Sequence, residues 1–105
     1  MINKIESISA NKLDYYIEKS DKNVQIVDVR DNYEYEKKHI KSAINISYED
    51  IIKGMFNLSR DLQIIVYCDR GGKSMMAAKY LLKQGYTVKN VVGGLKNYHG
   101  KNIVQ

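Results

Sequence analysis

Gln63-Ile64-Ile65-Val66-Tyr67-Cys68-Asp69-Arg70-Gly71-Gly72-Lys73-Ser74 is the stretch from which the rest of the chain reads outward. Residues 63–67 form the most continuous apolar run, of the kind that suits a parallel strand covered on both faces. Residues 74–84 carry a helical pattern with Met75, Ala78, Leu81 and Leu82 on one side, and Gly85 supplies a C-terminal stop. Between them lies a polar, glycine-containing loop. In open α/β sheets, ligands bind outside the carboxyl ends of the strands, where this loop falls.

The same alternation extends in both directions. Residues 5–7 predict a short first strand, Ser9 an N-cap, and residues 10–19 a helix burying Leu13, Tyr16 and Ile17. Residues 24–29 and 43–46 read as strands, with a short helix between them that is capped by Asp31 or Asn32 and runs towards Lys38. Ser47 opens a helix over residues 48–55. Residues 88–92 read as the last strand, and Gly93-Gly94 leads into a short helix over residues 95–98. Strands separated by helices predict an α/β domain with a parallel sheet and helices on both faces.

Length and composition set the limits. The 105 residues predict one domain over residues 1–105, and 44% hydrophobic content is enough for one core. Seventeen Lys and Arg against twelve Asp and Glu leave a net charge of +5, which favours anionic partners. The basic residues are dispersed, with no run longer than Lys37-Lys38, so a nucleic-acid partner is not expected. No apolar stretch has the length of a membrane span, and the polar start Met-Ile-Asn-Lys-Ile-Glu lacks the apolar region of a secretory leader. The expectation is a cytoplasmic protein, a monomer or weak dimer. A lone cysteine forms no internal disulfide, and with only His39 and His99 beside it a structural metal site is not expected; neither is a cofactor.

The chemistry concentrates in the loop. Gly71 and Gly72 allow successive N–H groups to turn inward above a helix N-terminus, which attracts negative charge. Arg70 and Lys73 add positive charge at the rim. A cysteine opening such a loop has its thiolate favoured by dipole, amides and cations, and so becomes a nucleophile without a histidine base. The competing reading is a small buried cysteine ahead of a tight strand-to-helix turn. Gly72-Lys73-Ser74 imitates the end of a Walker A motif, but Tyr67 stands where that motif needs glycine. Cysteine-dependent phosphatases and arsenate reductases are closer competitors. They place an arginine fork six positions after the cysteine, where this chain has Ser74, and Lys73 lacks the fork.

In these motifs the chain resembles the single-domain form of the rhodanese sulfurtransferases, over residues 5 to 98. Asp28-Val29-Arg30 matches the family's Asp-Val-Arg. Glu34, His39-Ile40 and 43–46 match its Glu…Gly-His-Ile…Gly-Ala-Ile-Asn-Ile. Residues 68–74 match its active-site Cys-x-x-Gly-x-Arg-Ser, and Val92-Gly93-Gly94-Leu95 with Tyr98 matches its closing Gly-Gly motif. The resemblance implies a five-stranded parallel sheet. It also implies sulfur transfer through a Cys68 persulfide, from a small anionic donor such as thiosulfate to a thiol or a protein acceptor. Asp69, Arg70, Gly71, Gly72, Lys73 and Ser74 would then hold the donor and the persulfide. A non-catalytic binding or sensing module is the alternative. The chain departs from the pattern at Lys73, where arginine is common, and at Lys38 and Ser42, where glycines are usual. Arg30 is expected to form a structural ion pair, with Glu34 in reach; His39 is expected to be structural, and Tyr67 and Tyr98 to line the approach to Cys68.

Overall fold

The computed structural model describes residues 5–105, so the polar start over residues 1–4 lies outside the described residues. Five parallel strands form the central sheet: β1 (Glu6–Ser9), β2 (Val24–Asp28), β4 (Ile44–Asn45), β5 (Gln63–Tyr67) and β6 (Thr87–Val92). Their order across the sheet is β1-β6-β5-β2-β4, which puts the apolar β5 at the centre. Ile64, Ile65, Val66 and Tyr67 have no exposed surface, as expected for a strand covered on both faces.

Side chains alternate across the sheet and build two cores. Val27, Val29, Ile64, Val66 and Cys68 pack under α3 (Tyr48–Ile52) and α4 (Gly72–Lys83). Ile26, Ile65, Tyr67 and Val91 pack on the opposite face with Leu13 and Ile17 of α1 (Leu13–Glu18) and with Leu95. The five strands and the two-sided helical cover are those predicted.

Local differences have physical causes. The expected helix over residues 10–19 is a 3₁₀ turn, Ala10–Lys12, followed by α1; Ser9 makes no side-chain cap. Ser47 does cap α3, its Oγ accepting the Asp50 N–H at 3.2 Å. The α4 helix starts at Gly72, two residues before the predicted start, because Gly71 takes a left-handed φ of +105° as its N-cap. Its buried face is Ser74, Ala77, Ala78 and Leu81; Met75 and Leu82 are half-buried. The closing segment Gly94–Asn97 is a 3₁₀ turn. A small antiparallel pair, β3 (His39–Ile40) with β7 (Ile103–Val104), has no counterpart in the sequence reading, since two-residue strands carry no periodicity. Of the two departures from glycine, Lys38 has extended backbone at φ −167°, open to any residue, whereas Ser42 sits at φ +74°. Among the described residues, no helix is long and apolar enough to cross a membrane.

Candidate active site

Strand β5 delivers two consecutive residues to opposite faces. Tyr67 turns into the α1-side core, where its hydroxyl accepts the Ile40 N–H at 3.0 Å. Burial pushes that phenol well above its ordinary pKa, and the charge of Asp28 adds to the shift. Cys68 therefore turns to the α4 side, at the mouth of the sheet. Tyr98 also lies in the α1-side core and donates its hydroxyl to Asp14 at 2.6 Å. The expectation that Tyr67 and Tyr98 line the approach to Cys68 is thus corrected: strand alternation turns Tyr67 away, and Tyr98, after the Gly94–Asn97 turn, packs in the same core.

The sulfur of Cys68 is ringed by donors. The Gly71 N–H points at Sγ from 3.0 Å and the Ser74 N–H from 3.4 Å, while the Ser74 hydroxyl oxygen lies 3.4 Å away. Burial by itself raises the thiol pKa. The Ser74 hydroxyl and the amides of Ser74, Gly71 and Arg70 outweigh it, so the thiol ionises below its ordinary value. The twelve-residue α4 adds its positive end to the same spot. Gly71 is required for this approach: beyond its left-handed φ, a Cβ there would sit 3.2 Å from the Gly93 nitrogen.

A cavity of about 330 Å³ opens over the sulfur. One wall is Cys68, Asp69, Arg70, Gly72 and Lys73; the other is Arg30, Asp31 and Glu34 from the end of β2 and from α2 (Asn32–Lys37). Cys68 is only 5% exposed, and this opening is where its remaining surface meets the cavity. Of the residues singled out from the sequence, Cys68, Asp69, Arg70, Gly72 and Lys73 line the cavity, while Gly71 and Ser74 lie against the sulfur.

Arg30 is paired with Asp28, not with Glu34. Its Nη2 meets Asp28 Oδ2 at 2.8 Å, its Nε lies 3.1 Å from both carboxylate oxygens, and Nη2 also donates to the Lys38 carbonyl. Both partners are buried, and the pair braces the turn that presents Asp31 and Glu34. Desolvation opposes the Arg30 charge, but Asp28 holds its pKa above the ordinary value. Arg30 is thereby neutralised, and the remaining charges at the opening are Arg70 and Lys73 against Asp31, Glu34 and Asp69. The rim is mixed, not cationic. Sequence reading took Asp31 for a helix cap and Glu34 for an ion-pair partner. Their shared wall depends on the turn after β2, which no local pattern reports. His39 is structural as expected: its Nδ1 lies 2.7 Å from the Tyr35 carbonyl and its ring stacks on Tyr35 at 3.8 Å.

The closing Gly93-Gly94 holds the loop from beneath. The Leu95 N–H donates to the Cys68 carbonyl at 2.9 Å and the Lys96 N–H to the Asp69 carbonyl at 3.1 Å. A Cβ on Gly94, which has φ +63°, would stand 2.5 Å from the Cys68 carbonyl oxygen.

This parallel sheet, with a cysteine at the end of its central strand and a short amide-lined loop, defines a class, and residues 12–101 match the rhodanese-like domain. The chain belongs to the rhodanese-like domain family. It is 39% identical over 83 residues to YrkF of Bacillus subtilis (strain 168), provisionally a sulfur carrier protein, covering 78% of this chain and 45% of YrkF. It is 34% identical over 98 residues to YtwF of the same organism, provisionally a sulfurtransferase, covering 93% of this chain and 94% of YtwF. Against the thiosulfate sulfurtransferase GlpE of Shewanella oneidensis, identity is 35% over 82 residues, covering 77% of this chain and 81% of GlpE. The crystal structure of a rhodanese-related protein from Thermoplasma volcanium superposes with a TM-score of 0.82 at 28% identity, covering 94% of this chain and 97% of that one. In the reduced CoADR-RHD of Bacillus anthracis (TM-score 0.80, 30% identity), the fold covers 90% of this chain but 16% of the larger one. Domains of this kind thus occur both nearly alone and within longer chains.

Proposed function

We propose that the protein is a sulfurtransferase in which Cys68 carries a sulfane sulfur between a small donor such as thiosulfate and a thiol or protein acceptor. The observation that carries this reading is the set of hydrogen-bonding groups around Sγ: two backbone N–H groups and the Ser74 hydroxyl oxygen within 3.4 Å of one buried sulfur at the floor of a cavity. The thiol first loses its proton to solvent. The thiolate then attacks the outer sulfur of thiosulfate; the new Cys68 S–S bond forms as the bond to the sulfonate sulfur breaks, and sulfite leaves with the electron pair. The persulfide keeps one negative charge, to which the loop amides donate. An acceptor thiolate attacks the outer sulfur in turn, taking it as its own persulfide and returning Cys68 as thiolate. No metal or redox partner enters this balance.

In this role Asp69, Arg70, Gly71, Gly72, Lys73 and Ser74 form the cradle, with Arg70 and Lys73 meeting the anionic end of the donor. Residues 1–105 act as one domain, in the cytoplasm. The short loop, one residue less than a phosphatase needs between its cysteine and its arginine fork, favours sulfur over phosphate. The test is intact-mass measurement after incubation with thiosulfate. One added sulfur atom on the wild type, absent from Cys68→Ser, supports the reading. No adduct, with thiosulfate:cyanide turnover insensitive to Cys68→Ser, leaves only a binding module. Vanadate-sensitive hydrolysis of an aryl phosphate would instead mark a phosphatase.

A further inference from the structure

One buried polar group is left unexplained by the chemistry above. Asn90 stands on β6 with 3% of its surface exposed, between the buried Val88 and Val91. Its Oδ1 is the buried side-chain atom without a hydrogen-bond partner among the described residues. A half-satisfied buried amide carries a desolvation cost that an aliphatic residue of the same size would avoid. The other end of the amide shows what is gained. Asn90 Nδ2 lies 3.5 Å from the carbonyl oxygen of Gly71, the residue whose N–H points at the Cys68 sulfur.

That carbonyl is shared. It accepts the Met75 N–H at 3.1 Å as the first hydrogen bond of α4, and its second lone pair lies 3.2 Å from the Ser74 hydroxyl. The hydroxyl has a single proton to donate. While Cys68 is a thiol, its S–H donates to Ser74 Oγ and the Ser74 proton goes to the Gly71 carbonyl. Once the sulfur is anionic it can only accept, so the Ser74 proton must turn to it and leave the carbonyl. The long Nδ2 contact is that of a donor held in reserve while Ser74 occupies the site. Exchanging the ends of the amide would set two oxygens against each other, so the orientation is fixed by chemistry.

We propose that Asn90 is a positioning residue for Cys68: its amide takes over the Gly71 carbonyl, which releases the Ser74 hydroxyl to donate to the anionic sulfur. This rests on Cys68 being the nucleophile, but its test uses no sulfur donor. The thiolate of Cys68 is titrated in the full chain by its ultraviolet absorbance and by the pH dependence of alkylation. The charged groups facing that sulfur (Arg30, Asp31, Glu34, Asp69, Arg70 and Lys73) are common to all the variants compared.

Asn90→Leu, close in volume, is expected to melt at the wild-type temperature or above. Its titration midpoint moves up by about half a pH unit, a roughly threefold loss of thiolate on the acid side. Asn90→Val, which is uncharged and likewise lacks the donor, shifts the same way and serves if the leucine variant does not fold. In a Ser74→Ala background the Asn90 substitutions produce no further shift, because Asn90 acts through the hydroxyl. A midpoint within error of wild type in the folded Asn90 variants overturns the proposal. So does a shift that adds in full to that of Ser74→Ala. If the midpoint behaves as described but thiosulfate never loads Cys68, the sulfur-transfer reading falls and the role of Asn90 stands.

Discussion

Leu95 donates its N–H to the carbonyl of Cys68 at 2.9 Å, so Cys68 is held from the turn after β6 as well as from α4. The contact exists because Gly94, at φ +63°, lets the turn lie against the loop with no Cβ between them.

Gly94→Ala therefore meets both a left-handed backbone and an overlap with the Cys68 carbonyl. The expected loss is roughly 2–4 kcal/mol, seen as a lower urea midpoint, together with a fall in sulfur loading. Unchanged stability would mean that the closing turn does not seat the loop.

The pH dependence follows from the direction of the Cys68 shift. Thiolate is the reacting form, so the loading rate rises with pH and levels off once the pH passes the Cys68 pKa, which lies below the ordinary thiol value. Ser74→Ala removes the hydroxyl donor and keeps the backbone N–H. Its rate profile moves to higher pH by about one unit, with a tenfold loss on the acid limb and little change on the plateau. An unmoved profile would show that the hydroxyl does not stabilise the thiolate.

Ser42 and Lys38 replace the two glycines of the motif that the sequence resembles, and the backbone separates them. Ser42→Gly relieves a left-handed φ of +74° and is expected to gain up to about 1 kcal/mol. Lys38→Gly, at an extended φ of −167°, only adds freedom to the unfolded chain and loses roughly 0.5–1 kcal/mol. Denaturant melts of the two variants decide it, and shifts of the same sign would contradict the assignment.

With Arg30 neutralised by Asp28, the opening carries three acids against two bases. Asp31→Asn and Glu34→Gln are each expected to raise kcat/KM for thiosulfate roughly two- to fivefold at low ionic strength, the gain shrinking as salt shortens the screening length to about 8 Å. A salt-independent change would point to altered packing. No change in either variant would mean that the acids do not face the bound donor.

The sequence alone determined the repeating architecture and singled out the loop after the central strand. Strand β5 appears as Gln63–Tyr67, as read from its apolar run. Strands and helices announce themselves through neighbours one to four positions away, and Cys68, Gly71 and Ser74 lie close together in sequence. Tertiary structure decided everything that joins distant segments. It gave Arg30 to Asp28 and turned Tyr67 away from the cavity, although it is the residue next to Cys68. It set Asp31 and Glu34 across from Arg70 and Lys73, and laid Asn90 from β6 and Leu95 from the turn beyond it against the loop. Those contacts depend on which strands are neighbours and which face each residue takes. Periodicity reports that a residue is buried, and only the packed sheet determines what it is buried against.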